Sequence, residues 1–198
     1  IQSVAIAGMG NVGIHFAEAF HKAGITITHF FSRDPATVSN IAKKYHCESL
    51  KYGDKILSPP DLILLCVPDS VIKTVGNFFY EPDSIIAHVS GSTGLKALKE
   101  SPSYTGVFYP LQTFSKDVLL NIENVPFCIE GSTLQTENLL KNLASRLSGF
   151  VYSVDSEQRK ALHVSAVFAC NFTNHLASIS KSLLEKSNMD FKLLLPLL

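Results

Sequence analysis

Six residues near the start of the chain, Gly8-Met9-Gly10-Asn11-Val12-Gly13, restrict its fold more than any others. They spell G-x-G-x-x-G, and what flanks them matters as much as the glycines. Val4 to Ala7 is a short apolar run of the kind that makes a buried strand. After the motif, apolar side chains recur at helical spacing at Val12, Phe16, Ala19, Phe20 and Ala23. Strand, glycine turn and helix in that order predict a dinucleotide-binding loop. Gly8 permits the tight turn, Gly10 lets the backbone approach a pyrophosphate, and Gly13 lets helix and strand pack closely. Met9, Asn11 and Val12 complete the loop, and the first free N–H groups of the helix face the anion. An ordinary glycine-rich βα turn is the plainer alternative.

Strand-like and helical runs then alternate, which predicts a doubly wound α/β sheet. Ile25 to Phe31 is the second strand, followed by a helix over Pro35 to Tyr45 and a weak strand near Ser49 to Tyr52. Asp61-Leu-Ile-Leu-Leu-Cys-Val-Pro68 reads as a strand buried on both faces, and Val71 to Tyr80 as a helix. Further strands are expected at Ser84 to Val89, around Val107-Phe108, at Pro126 to Ile129 and at Phe150 to Val154, with a helix over Leu134 to Leu147. From Ser156 to about Lys186 there is neither proline nor glycine, and Leu162, Ala169, Leu176 and Leu183 recur every seven residues along one helix face. Such a helix would be roughly 45 Å long, too long for a crossover. A domain boundary near Asp155 follows, with a dinucleotide-binding domain over 1–155 and the start of a helical domain over 156–198. Those last residues cannot bury their apolar faces alone, so the helical domain is expected to be truncated, covered by a second subunit, or both.

Seventeen Lys and Arg balance seventeen Asp and Glu, so nothing in the bulk charge suggests nucleic acid or an anionic membrane. No run approaches the roughly 18 apolar residues of a membrane span, and with the first residues already reading as a strand no signal peptide is expected. Cys47, Cys66, Cys128 and Cys170 lie far apart with no C-x-x-C pair, so they read as reduced cysteines of a cytoplasmic protein, and no metal site is expected.

The residue closing the second strand selects the dinucleotide. NAD binders place a carboxylate there to accept from the ribose 2′-OH. Here Phe31-Ser32-Arg33 occupies the place. Ser32 can donate to a 2′-phosphate and Arg33 can pair with it, favouring NADP over NAD, while Asp34 before Pro35 is placed to cap the next helix. Val67-Pro68 and Ser90-Gly91 close neighbouring strands at the carboxyl edge, where the nicotinamide end is expected, and Asp69 is placed as a helix cap.

Hydride transfer asks the protein mainly for orientation and a proton at the reacting atom. His88 at the sheet edge and Tyr109 at another strand end could supply it. So could a polar stripe on the long helix, made of His163, Asn171, Asn174 and Ser178 with His175 at its margin. Such a stripe on an apolar helix is costly unless hydrated or used. Plainer readings are a satisfied turn histidine for His88, a packed aromatic for Tyr109 and a subunit contact for the stripe. These features predict an oxidoreductase acting on a small carbonyl, imine or acid; the competing reading is a non-catalytic NADP-binding sensor or assembly protein.

The segments IAGMGNVG, CVPDSVI, HVSGSTG, YPLQTFS and ALHVSAVFACNFTNHL together resemble the Rossmann-like NADP oxidoreductases with an uncharacterised helical C-terminal domain, distant relatives of pyrroline-5-carboxylate reductase and prephenate dehydrogenase. The resemblance spans essentially the whole chain. It implies an NADP-like cofactor, a cytoplasmic location and a homodimer built on the helical domain, and it supplies no substrate. In prephenate dehydrogenases a His-Pro pair resembles Tyr109-Pro110; its histidine contacts substrate or catalyses, and Tyr109 stands in its place here. His163 and His175 resemble two histidines twelve residues apart on those relatives' first long helix.

Overall fold

Leu62 to Leu65 is apolar at four successive positions and wholly buried, which is what a strand with helices on both faces requires. In the computed structural model, which describes residues 1–79, 81–98, 104–115 and 120–197, this strand sits near the middle of an eight-stranded sheet. The strands are β1 (Ser3–Ala7), β2 (Thr26–Ser32), β3 (Glu48–Lys51), β4 (Leu62–Leu65), β5 (Ile85–His88), β6 (Tyr104–Pro110), β7 (Phe127–Gly131) and β8 (Val151–Ser153). Their order is β3-β2-β1-β4-β5-β6-β7-β8. The first six run parallel in the doubly wound Rossmann arrangement, with the chain's direction of travel across the sheet reversing between β1 and β4. β7 runs antiparallel to β6, and β8 follows β7 in parallel.

Both faces are covered. On one, α1 (Asn11–Lys22) and α4 (Leu134–Ser145) bury Phe16, Phe20 and Leu140 against Phe108 and Phe127, with the Phe16 ring 5.5 to 6.1 Å from its three aromatic neighbours. On the other, α3 (Ile72–Gly76) brings Ile72 and Val75, and Phe79 after it, onto Phe31, Ile63 and Leu65. The expected helix over Pro35 to Tyr45 is a 3₁₀ turn, Pro35–Val38, running into α2 (Ser39–Lys44); Asp34 caps it, its carboxylate accepting from the Ala36 N–H at 3.1 Å. The helix expected over Val71 to Tyr80 ends early, at Gly76 with Asn77 as cap; Tyr80 lies outside the described residues.

After β8 a capping box between Asp155 and Gln158 starts α5 (Ser156–Ala166). The helical course continues through a π-helical segment, Val167–Phe172, into α6 (Thr173–Lys186). The expected seven-residue repeat therefore does not hold one face. Bonding to i+5 advances the chain by less than the usual angle per residue, and six such residues separate Leu162 from Leu176. Leu162 packs on the sheet beside Tyr109 and Cys128, whereas Leu176 and Leu183 point outward. All four cysteines are free, and among the described residues no helix is long and apolar enough to cross a membrane.

Candidate functional site

The glycine loop has the geometry its spacing implies. Gly8 sits at φ +98°, where side chains are disfavoured, and a Cβ there would lie 2.5 Å from the Cys66 carbonyl oxygen. A Cβ on Gly13 would overlap the Gly8 carbonyl, so the helix can approach the turn only with glycine at that place. Above Gly10 there is open space, and Gly10 is the N-cap of α1 with no side chain closing the helix end. A backbone turned toward an open approach, with unblocked helix N–H groups, suits a diphosphate. Met9 and Val12 flank it, half-buried. The Asn11 side chain is otherwise engaged: its amide donates to the Phe114 carbonyl at 3.1 Å, tying the loop after β6 to the start of α1.

At the end of β2 the Ser32 hydroxyl is buried with no hydrogen-bond partner among the described residues, and Arg33 beside it is exposed. The Asp34 carboxylate, next in sequence, is turned into its own cap.

Across the switch point lie the ends of β4, β5 and β6. Val67 and Pro68 follow β4, Pro68 exposed at the edge. Asp69 does not cap the following turn as expected from sequence; Pro68 is the N-cap, and the Asp69 carboxylate instead accepts from the Ser92 hydroxyl, linking the two edge loops. Ser90 is buried, and its hydroxyl accepts from the N–H groups of Ser92 and Thr93 at 3.2 and 2.9 Å. That hydroxyl folds its own loop.

His88 closes β5, fully buried. Its Nδ1 accepts from the Ser90 N–H at 3.2 Å, and its Nε2 meets no partner among the described residues. Burial above all, helped by the positive charge of Arg159, pushes its pKa down to about 4. It is a neutral ring at physiological pH. Tyr109, also buried, has its phenol pushed up to about 12, chiefly by burial.

Tyr109 and His163 come together. The Tyr109 hydroxyl lies 3.1 Å from His163 Nδ1, and the rings meet edge-on with centroids 6.0 Å apart. Gly91 lies beneath both: a Cβ there would be 2.7 Å from His163 Nδ1 and 2.7 Å from Tyr109 Cζ. The glycine thus opens the space that the pair fills. The rest of the polar stripe does not join them. Asn171 is exposed and lies eight residues further along, within the π-helical segment. Asn174, His175 and Ser178 are exposed too, the Ser178 hydroxyl donating to the Asn174 carbonyl of its own helix. Facing solvent, these polar groups cost nothing to hydrate; the stripe does not face the ligand edge as expected.

One residue absent from every motif completes the cluster. Arg159 in α5 is wholly buried, paired with Glu130 and donating to the Thr93 carbonyl at 2.8 Å. Its only sequence-level signal was its place four residues before His163. Among the described residues no cluster of three or more His, Cys, Asp or Glu could hold a metal.

Residues 3–87 match the family described as NADP oxidoreductase, coenzyme F420-dependent, and residues 125–198 match a domain of unknown function, DUF2520. A putative NADP oxidoreductase from Bacteroides fragilis is 33% identical over 99% of this chain and 77% of its own, with a TM-score of 0.86. A protein from Thermotoga maritima is 28% identical over 90% of this chain and 68% of its own, with a TM-score of 0.75. A reductive aminase from Aspergillus terreus, solved with NADPH and ethyl-5-oxohexanoate, shares the fold at 13% identity, with a TM-score of 0.79 over 100% of this chain and 71% of its own. No curated protein matches the chain.

Proposed function

Since this chain belongs to the family of NADP oxidoreductases in which a Rossmann domain is followed by a helical domain of unknown function, we propose that it moves a hydride between NADP and a small carbonyl, imine or acid substrate. The observation that carries the proposal is the Tyr109–His163 hydrogen bond above Gly91, at the sheet edge continuous with the glycine loop. The cofactor, when bound, supplies or accepts the hydride.

The chain's own residues do the rest. The turn from Gly8 to Gly13 holds the diphosphate, and Ser32 with Arg33 holds the 2′-phosphate. Val67, Pro68, Ser90 and Gly91 form the wall of the nicotinamide end. Tyr109, a phenol that burial holds firmly in its protonated form, gives a proton to the oxygen or nitrogen of the double bond whose carbon gains the hydride. His163 shares the hydrogen bond and can return that proton from its half-buried position on α5. His88, neutral and buried behind Ser90, shapes this edge. Asn171 enters the reading only if helix and substrate approach each other. The helical segment is assigned to contact with a second copy of the chain.

Calorimetric titration with NADPH and NADH tests the cofactor half. NADPH should bind more tightly, and Arg33→Ala should weaken NADPH by about tenfold, one exposed charge-assisted contact, while leaving NADH unchanged. An unchanged NADPH-to-NADH ratio in that variant removes the NADP assignment. For the chemistry, nicotinamide absorbance followed with a panel of small carbonyls and imines should show turnover that Tyr109→Phe abolishes.

A further inference from the structure

Arg159 heads the fully buried side chains by volume and belongs to no motif. From the first turns of α5 it reaches back into the nucleotide-binding domain. One terminal guanidinium nitrogen pairs with the Glu130 carboxylate in β7; the other terminal nitrogen donates to the Thr93 carbonyl at 2.8 Å and to Ser156 Oγ at 3.3 Å, and Nε meets no partner among the described residues. Ser156 Oγ also lies 2.9 and 3.0 Å from the two Glu130 oxygens and accepts from the Leu95 N–H at 3.0 Å. The start of α5, the strand β7 and the loop of residues 91–95 therefore meet on one buried ion pair.

An ion pair with its arginine wholly buried gains little net stability, since desolvation offsets the attraction, but its directional hydrogen bonds constrain the elements they join. Arg159 and His163 stand four residues apart in α5, so they share a face one turn apart. The guanidinium is fastened to the loop that carries Gly91, and the His163 ring rests on Gly91 itself. Leu162 also seats the helix, by packing near Val107, Tyr109 and Cys128, but apolar contact is non-directional and permits sliding. We propose that Arg159, through Glu130 and Thr93, is a positioning residue that sets the height and rotation of α5 so that His163 meets the Tyr109 hydroxyl. Its functional meaning rests on Tyr109 and His163 being the reacting pair; its geometry does not.

The test is NMR of the full chain carrying isotope-labelled histidine, without ligand. Tyr109→Phe marks where the His163 ring-nitrogen signals fall once the hydrogen bond is gone. Two variants are compared with it: Arg159→Lys, which keeps charge but loses the two-pronged donor, and Arg159→Leu combined with Glu130→Leu, which leaves no charge unpaired. The expected result is cooperative melting in both, NADPH binding as in the unaltered chain, and His163 signals moved toward the Tyr109→Phe position. His163 signals unmoved in the folded variants would overturn the inference and leave Leu162 packing as what seats α5. If the double variant does not fold, Arg159→Lys decides alone. NADPH binding by the unaltered chain is read separately, so its absence would sink the proposed function without touching this result.

Discussion

His88 is a wholly buried ring whose Nε2 meets no partner among the described residues, and because burial opposes its charged form, holding it there costs more as the pH falls. In the unfolded chain the ring takes a proton near 6.5; in the fold it refuses one until about 4. Between those values the unfolded state binds more protons, so stability rises with pH from about 4 to 6.5 and is flat above that for this group. The difference corresponds to about 3 kcal/mol. His88→Asn keeps an acceptor for the Ser90 N–H and removes the titration. Melting temperatures of that variant across this range should follow a shallower slope than those of the unaltered chain. Equal slopes would mean that His88 is not the group being titrated. A second residue-scale case is Gly13, where an added methyl would overlap the Gly8 carbonyl. Gly13→Ala should cost about 1–3 kcal/mol in thermal unfolding and lose NADPH affinity, whereas Gly10→Ala, with open space above it, should unfold as the unaltered chain does.

At the scale of elements, what could be read from sequence was what short-range geometry decides. Three glycines at fixed spacing needed only the turn between one strand and one helix: Gly8 takes the positive φ of the tight turn and Gly13 the close helix–strand approach, while Gly10 borders open space. Asp34 caps its turn because its partner, Ala36, is two residues away. The buried run at β4 announced itself by composition alone. The features that escaped depend on distance or on a break in periodicity. Arg159 meets Thr93 across 66 residues and Glu130 across 29, so nothing local marks it. Tyr109 and His163 were each legible as candidates, but their contact across 54 residues was not. The seven-residue repeat assumed a constant helical angle, and the π-helical segment Val167–Phe172 breaks that assumption midway. Asp69 looked like a cap by position, but Ser92 in a neighbouring loop takes its carboxylate instead.

For the molecule as a whole, the unresolved balance lies in the helices after Ala166. Phe168 and Phe172 stack with centroids 4.9 Å apart, and with Leu176, Ile179 and Leu183 they form a run at i, i+4, i+8, i+11 and i+15. Their exposures are 62, 50, 62, 44 and 61%. Burying such a side chain from full exposure is worth about 1.5–3 kcal/mol, and these are roughly half exposed, so covering each gains about half of that and a stripe of five is still a drive to associate. A second copy of the chain brings the same stripe, and two such helices can bury each other around a two-fold axis. Sedimentation should therefore show a concentration-dependent dimer. Leu176→Lys combined with Leu183→Lys should shift it to monomer while the far sheet still melts cooperatively, since neither side chain packs on it. Monomer at every concentration in the unaltered chain would refute the homodimer. The variant also bears on the site, because α5 is held by Arg159 and Leu162 on the near side of the π-helical segment. If dimerisation and NADPH binding are independent, the double lysine variant should bind NADPH as tightly as the unaltered chain does.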